Sequence, residues 1–277
     1  MDLWILFRER QLEIVSAFLR RVGYLRYLTQ PALWPELRRR FQNRWQRPGD
    51  DHLSCIQGKE RAVEWCKNQS IDSNSAYRKI TGSTESLNSL RELYPEFFSQ
   101  AEQSVSRCPV KMGGAGNLDL LYALCESTNA NAVLETGVAY GWSSLAILLS
   151  MKNRLDSRLY SVDLPYLELH NDPWVGIVVP ESLRNQWVLF RMADREGVPK
   201  AIERAKTFDV AHYDSDKSYE GRLYSYRLIW NALRSKGILI SDDVGDNLAF
   251  HDFCQEIKME PVIVTYLKKY QGILVKP

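Results

Sequence analysis

Two apolar runs near the C-terminus, Pro261–Leu267 and Gln271–Lys276, are separated by only three residues. A crossover between parallel strands needs a dozen residues or more, so this pair has to fold as an antiparallel hairpin. Upstream of it the chain alternates short apolar segments with helical ones. From Gly113 onward, Asn117–Ser127 reads as a helix, Ala132–Glu135 as a first strand and Ser143–Lys152 as a helix. Arg158–Asp163 and Trp187–Met192 read as the second and third strands, Arg195–Lys206 as a helix and Phe208–Tyr213 as the fourth strand. A long helix, Tyr219–Ser235, leads to a fifth strand, Gly237–Ser241, and Asn247–Lys258 closes the series as a helix. Strands separated by helices make βαβ units and a parallel sheet. The expected architecture is α/β: a Rossmann-like, doubly wound, seven-stranded sheet, mostly parallel with a reversed C-terminal strand, plus a helical N-terminal extension.

The extension covers residues 1–110 and the sheet domain residues 111–277. Leu3, Phe7, Ile14, Val15, Phe18, Val22 and Leu25 recur at helical spacing. Pro35 opens a short basic helix, Pro48-Gly49 marks a turn, and helices are expected over Gly58–Asn68 and Ser86–Ser106.

Open α/β sheets bind ligands beyond the carboxyl ends of their strands. The first such end is Glu135-Thr136-Gly137-Val138-Ala139-Tyr140-Gly141-Trp142-Ser143. Gly137 and Gly141 let the backbone turn tightly and approach a ligand, and the helix that follows offers free N–H groups to an anion. Ser143 adds a hydroxyl. The spacing is not the G-x-G-x-x-G of nicotinamide enzymes, because Ala139 stands where the middle glycine belongs. Asp163, ending the second strand, is placed to accept hydrogen bonds from a ribose diol.

Acids also follow the fourth and fifth strands. Asp214 and Asp216 flank Ser215, with Lys217 next, and Asp242-Asp243 follow Ser241. In a parallel sheet these edges are neighbours, so Asp214, Asp242 and Asp243 converge. Carboxylates that close repel unless a cation joins them, and oxygen ligands favour Mg²⁺, Ca²⁺ or Mn²⁺. His212, inside the fourth strand, suits a packed core position, and His251 a helix surface. Trp174 and Tyr166 lie on the connection after Asp163, where an aromatic packs more often than it stacks on a substrate.

The formal net charge of +2 gives no reason to expect a nucleic-acid partner. Residues 1–50 carry ten arginines against five acids, and such a face is solvated more often than it meets a membrane or partner. Cys55, Cys66, Cys108, Cys125 and Cys254 are scattered and odd in number, unlike a disulfide framework or zinc site, which fits a reducing, cytoplasmic setting. The apolar stretch Leu3–Phe7 is ended by Arg8, Glu9 and Arg10, too early for a leader or a membrane span.

Over about residues 110–277 the chain resembles the class I S-adenosylmethionine-dependent methyltransferases. Glu135–Ser143 resembles the cofactor motif of the cation-dependent O-methyltransferases. Val175–Leu183, His212–Glu220 and Gly237–Phe250 resemble a bacterial small-molecule O-methyltransferase group. The resemblance implies that Glu135, Gly137, Tyr140, Gly141 and Ser143 line the methionine part of the cofactor and Asp163 its ribose. Asp194 and Arg195 would lie beside the adenine, after Ala193. Asp214, also against the cofactor, would join Asp242 and Asp243 in holding Mg²⁺. The general base would be Asp216, as in sugar-methylating relatives, or Lys217, as in catechol-type enzymes. Lys217 is a departure, since the bacterial group usually has histidine there. The implied activity is methyl transfer to a hydroxyl of a small molecule (sugar, phenol or natural product), with a homo-oligomer as one reading of its assembly. The rival readings are a nicotinamide Rossmann enzyme and a catalytically inactive methyltransferase fold kept as a binding or scaffold protein.

Overall fold

Seven strands form a single sheet in the order β3-β2-β1-β4-β5-β7-β6. They are β1 (Ala132–Thr136), β2 (Arg158–Val162), β3 (Trp187–Phe190), β4 (Phe208–Tyr213), β5 (Leu233–Ser241), β6 (Val262–Tyr266) and β7 (Lys269–Val275). The computed structural model describes Pro31, Trp34–Glu36, Arg38, Arg39 and residues 52–165 and 171–277, with only the backbone described over 52–57. The expected helices over Leu3–Leu25, most of the basic helix at Pro35, and Tyr166 lie outside the described residues. Residues Asp50–Leu164 and Trp174–Pro277 make one compact unit; Met1–Gly49 and Pro165–Pro173 make another.

Strands β1 to β5 are mutually parallel, and β7 inserts antiparallel between β5 and β6. The hairpin and the reversed strand are as expected, with β6 and β7 joined through Leu267 and Lys268 alone. The sheet is wound on both faces, so successive residues of one strand enter different cores. Val133, Leu159, Val210 and Ile240 face one core and Leu134, Tyr160, Ala211 and Leu239 the other. A strand buried on both sides reads as a continuous apolar run, which is why these segments stand out in the sequence.

The helices are α1 (His52–Gln69), α2 (Ser73–Thr81), α3 (Leu90–Leu93), α4 (Pro95–Ser106), α5 (Leu118–Ser127), α6 (Trp142–Met151), α7 (Glu181–Arg184), α8 (Asp194–Ala205), α9 (Tyr219–Ala232) and α10 (Ala249–Ile257). Two expected elements are corrected. The helix expected over Ser86–Ser106 is split, because Pro95 disfavours helical backbone at Tyr94, whose φ of −135° ends α3 before Pro95 starts α4. The helix expected to reach Ser235 stops at Ala232. Leu233 is buried and pairs with Phe208 as the first residue of β5, and the ladder resumes at Ile238 after an irregularity holding Lys236 at φ 62°. Helix α2 was not expected from the sequence; Asp72 caps it by accepting from the Ser75 N–H at 3.0 Å. Just before α2, Ile71 adds a parallel bridge to Val264, extending the sheet past β6. No helix among the described residues is long and apolar enough to cross a membrane.

Candidate active site

The turn after β1 is built where three strands end together. The Gly137 N–H donates to the Val162 carbonyl at 2.8 Å, and the Asp214 N–H donates to the Thr136 carbonyl at 2.9 Å. Gly137 has φ +80°, and a methyl group on it would overlap the backbone carbonyl of Asp214. Gly141 has φ +92° and would bring a Cβ to 2.9 Å from the Gly176 Cα. Both glycines are therefore demanded by backbone conformation and by close approach. Ala139 adopts φ +50°, a left-handed conformation for a residue with a side chain. Asp163 ties β2 to this turn: its Oδ1 accepts from the Val138 N–H at 2.8 Å, and its Oδ2 is ion-paired with Arg191.

Glu135 is fully buried. Its carboxylate accepts from the hydroxyls of Ser143, Ser144 and Ser161, each at 2.6 Å. Burial pushes its pKa up, and the three hydroxyl donors oppose that rise. The side chain thus clamps the N-terminus of α6 to β1 and β2, and the Trp187 indole extends the network by donating to Ser161 Oγ at 2.7 Å. Tyr140 reaches outward: its hydroxyl donates to the Val110 carbonyl at 2.8 Å and lies 3.1 Å from the Met112 N–H that donates to it.

The acids do converge. Asp214, Asp242 and Asp243 line a cleft of about 260 Å³ with Gly114–Asn117, Tyr266, Leu267, Lys269, Tyr270 and Gln271. Their charges are met by the chain itself. The Lys217 ammonium contacts Asp214 Oδ1 and lies 3.0 Å from Asp243 Oδ2. Lys269 lies 3.0 Å from Asp243 Oδ1. Asp242 faces His212 Nε2 at 3.3 Å through Oδ2, and Gln271 Nε2 donates to its Oδ1 at 2.6 Å. Burial opposes charge on His212, but Asp242 outweighs it and raises the imidazole pKa to about 9. Burial likewise works against ionised Asp242, yet His212 and Gln271 hold its carboxyl below the usual value. Asp214 is raised, by burial first and by Asp242 second. For Lys217, burial is outweighed by Asp214 and Asp243, which keep the amine charged.

A divalent ion needs six or more oxygens at about 2.0–2.6 Å. Here the carboxylate oxygens already face two ammonium groups, an imidazole and an amide, so the acids as arranged do not fit Mg²⁺. Among the described residues no group of three His, Cys, Asp or Glu side chains has the arrangement of a metal site. Neither base candidate lines the cleft. Asp216 folds back on its own chain, accepting from the Ser218 N–H at 2.8 Å ahead of α9, and Lys217 is engaged as a cation.

Asp194 begins α8 and is buried against β4, where its Oδ2 accepts from the Ser215 hydroxyl and from the Tyr213 hydroxyl at 3.3 Å. Arg195 turns away and lies over the Tyr224 ring, 4.4 Å from its centroid. His251 packs edge-on against Trp65 at 5.1 Å, and Trp174 is half-buried. Lys269, Gln271 and the buried Arg222 were missed in the sequence. Arg222 Nη1 donates to the Asp242 carbonyl and Nη2 to the Asp243 carbonyl, both at 3.1 Å, and so holds the backbone of the acidic pair.

Asp194 gives a pH prediction. Burial, the first cause, raises its pKa from 3.8 to about 6. The folded protein therefore holds a proton that the unfolded chain has released, so stability falls as pH rises between those values. Asp194→Asn removes that loss. The variant is expected to match the parent near pH 4 and to exceed it at pH 7.5 by an amount bounded at roughly 3 kcal/mol. Urea unfolding at the two pH values measures it, and a constant difference between the proteins refutes it.

Residues 134–244 match the family model of a methyltransferase domain. Among solved structures, TomG of Streptomyces achromogenes, an O-methyltransferase of tomaymycin synthesis in complex with S-adenosylmethionine, superimposes with a TM-score of 0.51. It is 16% identical, over 74% of this chain and 97% of that one. The S-adenosylhomocysteine-bound methyltransferase PaMTH1 of Podospora anserina has a TM-score of 0.50 at 12% identity, covering 83% of this chain and 98% of its own. A provisionally assigned O-methyltransferase of Klebsiella pneumoniae has a TM-score of 0.51 at 13% identity, over 68% and 96% of the two chains. At such identities these likenesses are of fold. No curated protein matches the sequence. Residues 134–244 thus match a methyltransferase domain, and the α/β unit shares the fold of these methyltransferase structures.

Proposed function

We propose that the chain transfers a methyl group from S-adenosylmethionine to a hydroxyl oxygen of a small molecule bound in the cleft. The observation that carries this reading is the double role of Asp214. Its backbone carbonyl packs on Gly137 in the cofactor turn, while its side chain lines the cleft. A ligand on the turn and one in the cleft are therefore neighbours.

The turn suits the cofactor. The first turn of α6 has no side-chain cap, so its N–H groups face the methionine carboxylate, with Ser143 beside them. Asp163 fixes the turn through Oδ1, and we assign Oδ2, which Arg191 also contacts, to the ribose diol. S-adenosylmethionine supplies an electrophilic methyl on a sulfonium; the S–CH₃ bond breaks with its electron pair left on sulfur as the O–CH₃ bond forms. The protein's part is to hold the acceptor oxygen in line and to receive its proton. Asp214 lines the cleft, and only its Oδ1 is engaged by Lys217, so we assign its Oδ2 as the proton acceptor. The segment around Ser73 is assigned to the acceptor side, since the Ser73 hydroxyl accepts from Asn117 at the cleft at 3.0 Å.

Isothermal titration tests the reading. S-adenosylmethionine and S-adenosylhomocysteine are expected to bind and NAD is not; Asp163→Ala should weaken cofactor binding about tenfold or more, the loss of one or two charge-assisted hydrogen bonds. Transfer of labelled methyl to a panel of phenols, sugars and their glycosides then identifies the acceptor. Preferential binding of NAD overturns the proposal.

A further inference from the structure

The acidic cluster sets a problem of charge. Three carboxylates share one cleft at the edge of the sheet, and two of them, Asp242 and Asp243, are consecutive in the chain. Such a group repels itself unless positive charge is supplied. Three positive groups are supplied from three separate elements. Lys217 comes from the loop after β4 and bridges Asp214 to Asp243. Lys269 comes from β7 and takes the remaining oxygen of Asp243. His212 comes from β4 and faces Asp242, whose other oxygen is held by Gln271 of β7. Both oxygens of Asp242 and both of Asp243 are thus engaged, and one of Asp214. The backbone is shaped for this arrangement as well: Asp243 adopts φ +54°, an unfavourable conformation for a residue with a side chain, and Arg222 pins its carbonyl.

We propose that the Lys217 ammonium is the resident cation of this site, taking the place that a divalent ion would fill, and that methyl transfer here is independent of metal. An ammonium has three donors. Two are given to Asp214 and Asp243, the carboxylates that line the cleft. Admitting a divalent ion would require Lys217 to leave both carboxylates and Lys269 to leave Asp243. The role of Lys217 is then to hold Asp214 and Asp243 in place, as a fixed charge rather than as a base.

The inference rests on the proposed methyl transfer for its activity arm alone; its metal arm needs no turnover. Mn²⁺ binding to chelator-treated full-length protein is followed by electron paramagnetic resonance, with Mg²⁺ competition. The parent protein is expected to take up no Mn²⁺ at this site up to millimolar concentration. Lys217→Ala leaves Asp214 and Asp243 facing each other and is expected to bind Mn²⁺ at least tenfold more tightly, with Asp243→Asn in the same background abolishing the gain. Lys217→Met, which keeps the stem, serves if the alanine variant does not fold, as judged by circular dichroism. If methyl transfer is detected, it is expected to be unchanged in excess chelator. Stoichiometric Mn²⁺ binding by the parent protein that Asp214→Asn removes would overturn the proposal, as would turnover lost in chelator and restored by Mg²⁺. Absence of any cofactor binding would instead remove the methyltransferase reading and leave the metal result standing.

Discussion

Replacing Gly137 by alanine is expected to abolish detectable cofactor binding and to destabilise the fold by about 3 kcal/mol or more. Two causes act together. At φ +80° a side chain is strained wherever it stands, and here the added methyl meets the Asp214 backbone carbonyl, which has little room to retreat. The Asp214 N–H is bonded to Thr136 on one side, and β4 pairs with β1 and β5 on both flanks. The strain must then spread into the turn, displacing Val138 from Asp163. Gly113→Ala is the control. It lies near the same turn, but its added Cβ would sit 3.7 Å from that of Ala139, an ordinary contact. Urea unfolding and titration with S-adenosylmethionine read both effects. A Gly137 variant as stable as the Gly113 variant would show that the turn is soft.

The second large effect is expected at Glu135. Its carboxylate is the common acceptor for three hydroxyls on two elements, in a place without solvent. Glu135→Ala leaves those hydroxyls without their acceptor and opens a cavity, which together cost about 4 kcal/mol. Glu135→Gln keeps the shape and removes a buried charge that is already costly, as the raised pKa indicates. Serine hydroxyls can rotate to accept from the amide, so the glutamine variant is expected to lose only about 1 kcal/mol. The order of the two variants in a thermal or urea melt is the test. Equal losses would mean that the charge, and not the network, is what the site requires. Cofactor affinity is expected to follow stability, because Glu135 holds the N-terminus of α6 in place.

The sheet was legible because its strands are buried on both faces and its turns need glycine. Ala132–Thr136 and Phe208–Tyr213 are short segments buried along most of their length, and the three-residue link after Leu267 requires the last two strands to pair antiparallel. Boundaries failed where tertiary packing overrode local preference. Leu233 continues a helical pattern but is drawn into β5 by Phe208. Helix α2 is only 9 residues long, so its apolar face of Ala76, Tyr77 and Ile80 gives a short signal, bounded by the caps Asp72 and Gly82. At the site, the convergence of Asp214, Asp242 and Asp243 followed from the position of two strand ends in a parallel sheet. What neutralises them did not. Lys269 and Gln271 are separated from the acids by more than twenty residues, and their contact depends on the register of β7 against β5. His212 was read as a core residue, which its burial bears out, but its charge partner lies on the next strand, beyond any local pattern.

The reversed strand has a consequence for how such a protein can change. Because β7 runs against β5, the tip of the final hairpin, with Leu267 and Lys268 in left-handed conformations, stands at the same rim as the cleft. The rest of the cleft is lined by Gly114–Asn117 and by Asp214, Asp242 and Asp243, and Asp214 packs on Gly137 of the turn. Residues 266–271 form a short, separately variable edge whose substitution leaves the strand ends that form the turn untouched. Substitutions along this edge can reshape one side of the cleft without disturbing the turn after β1.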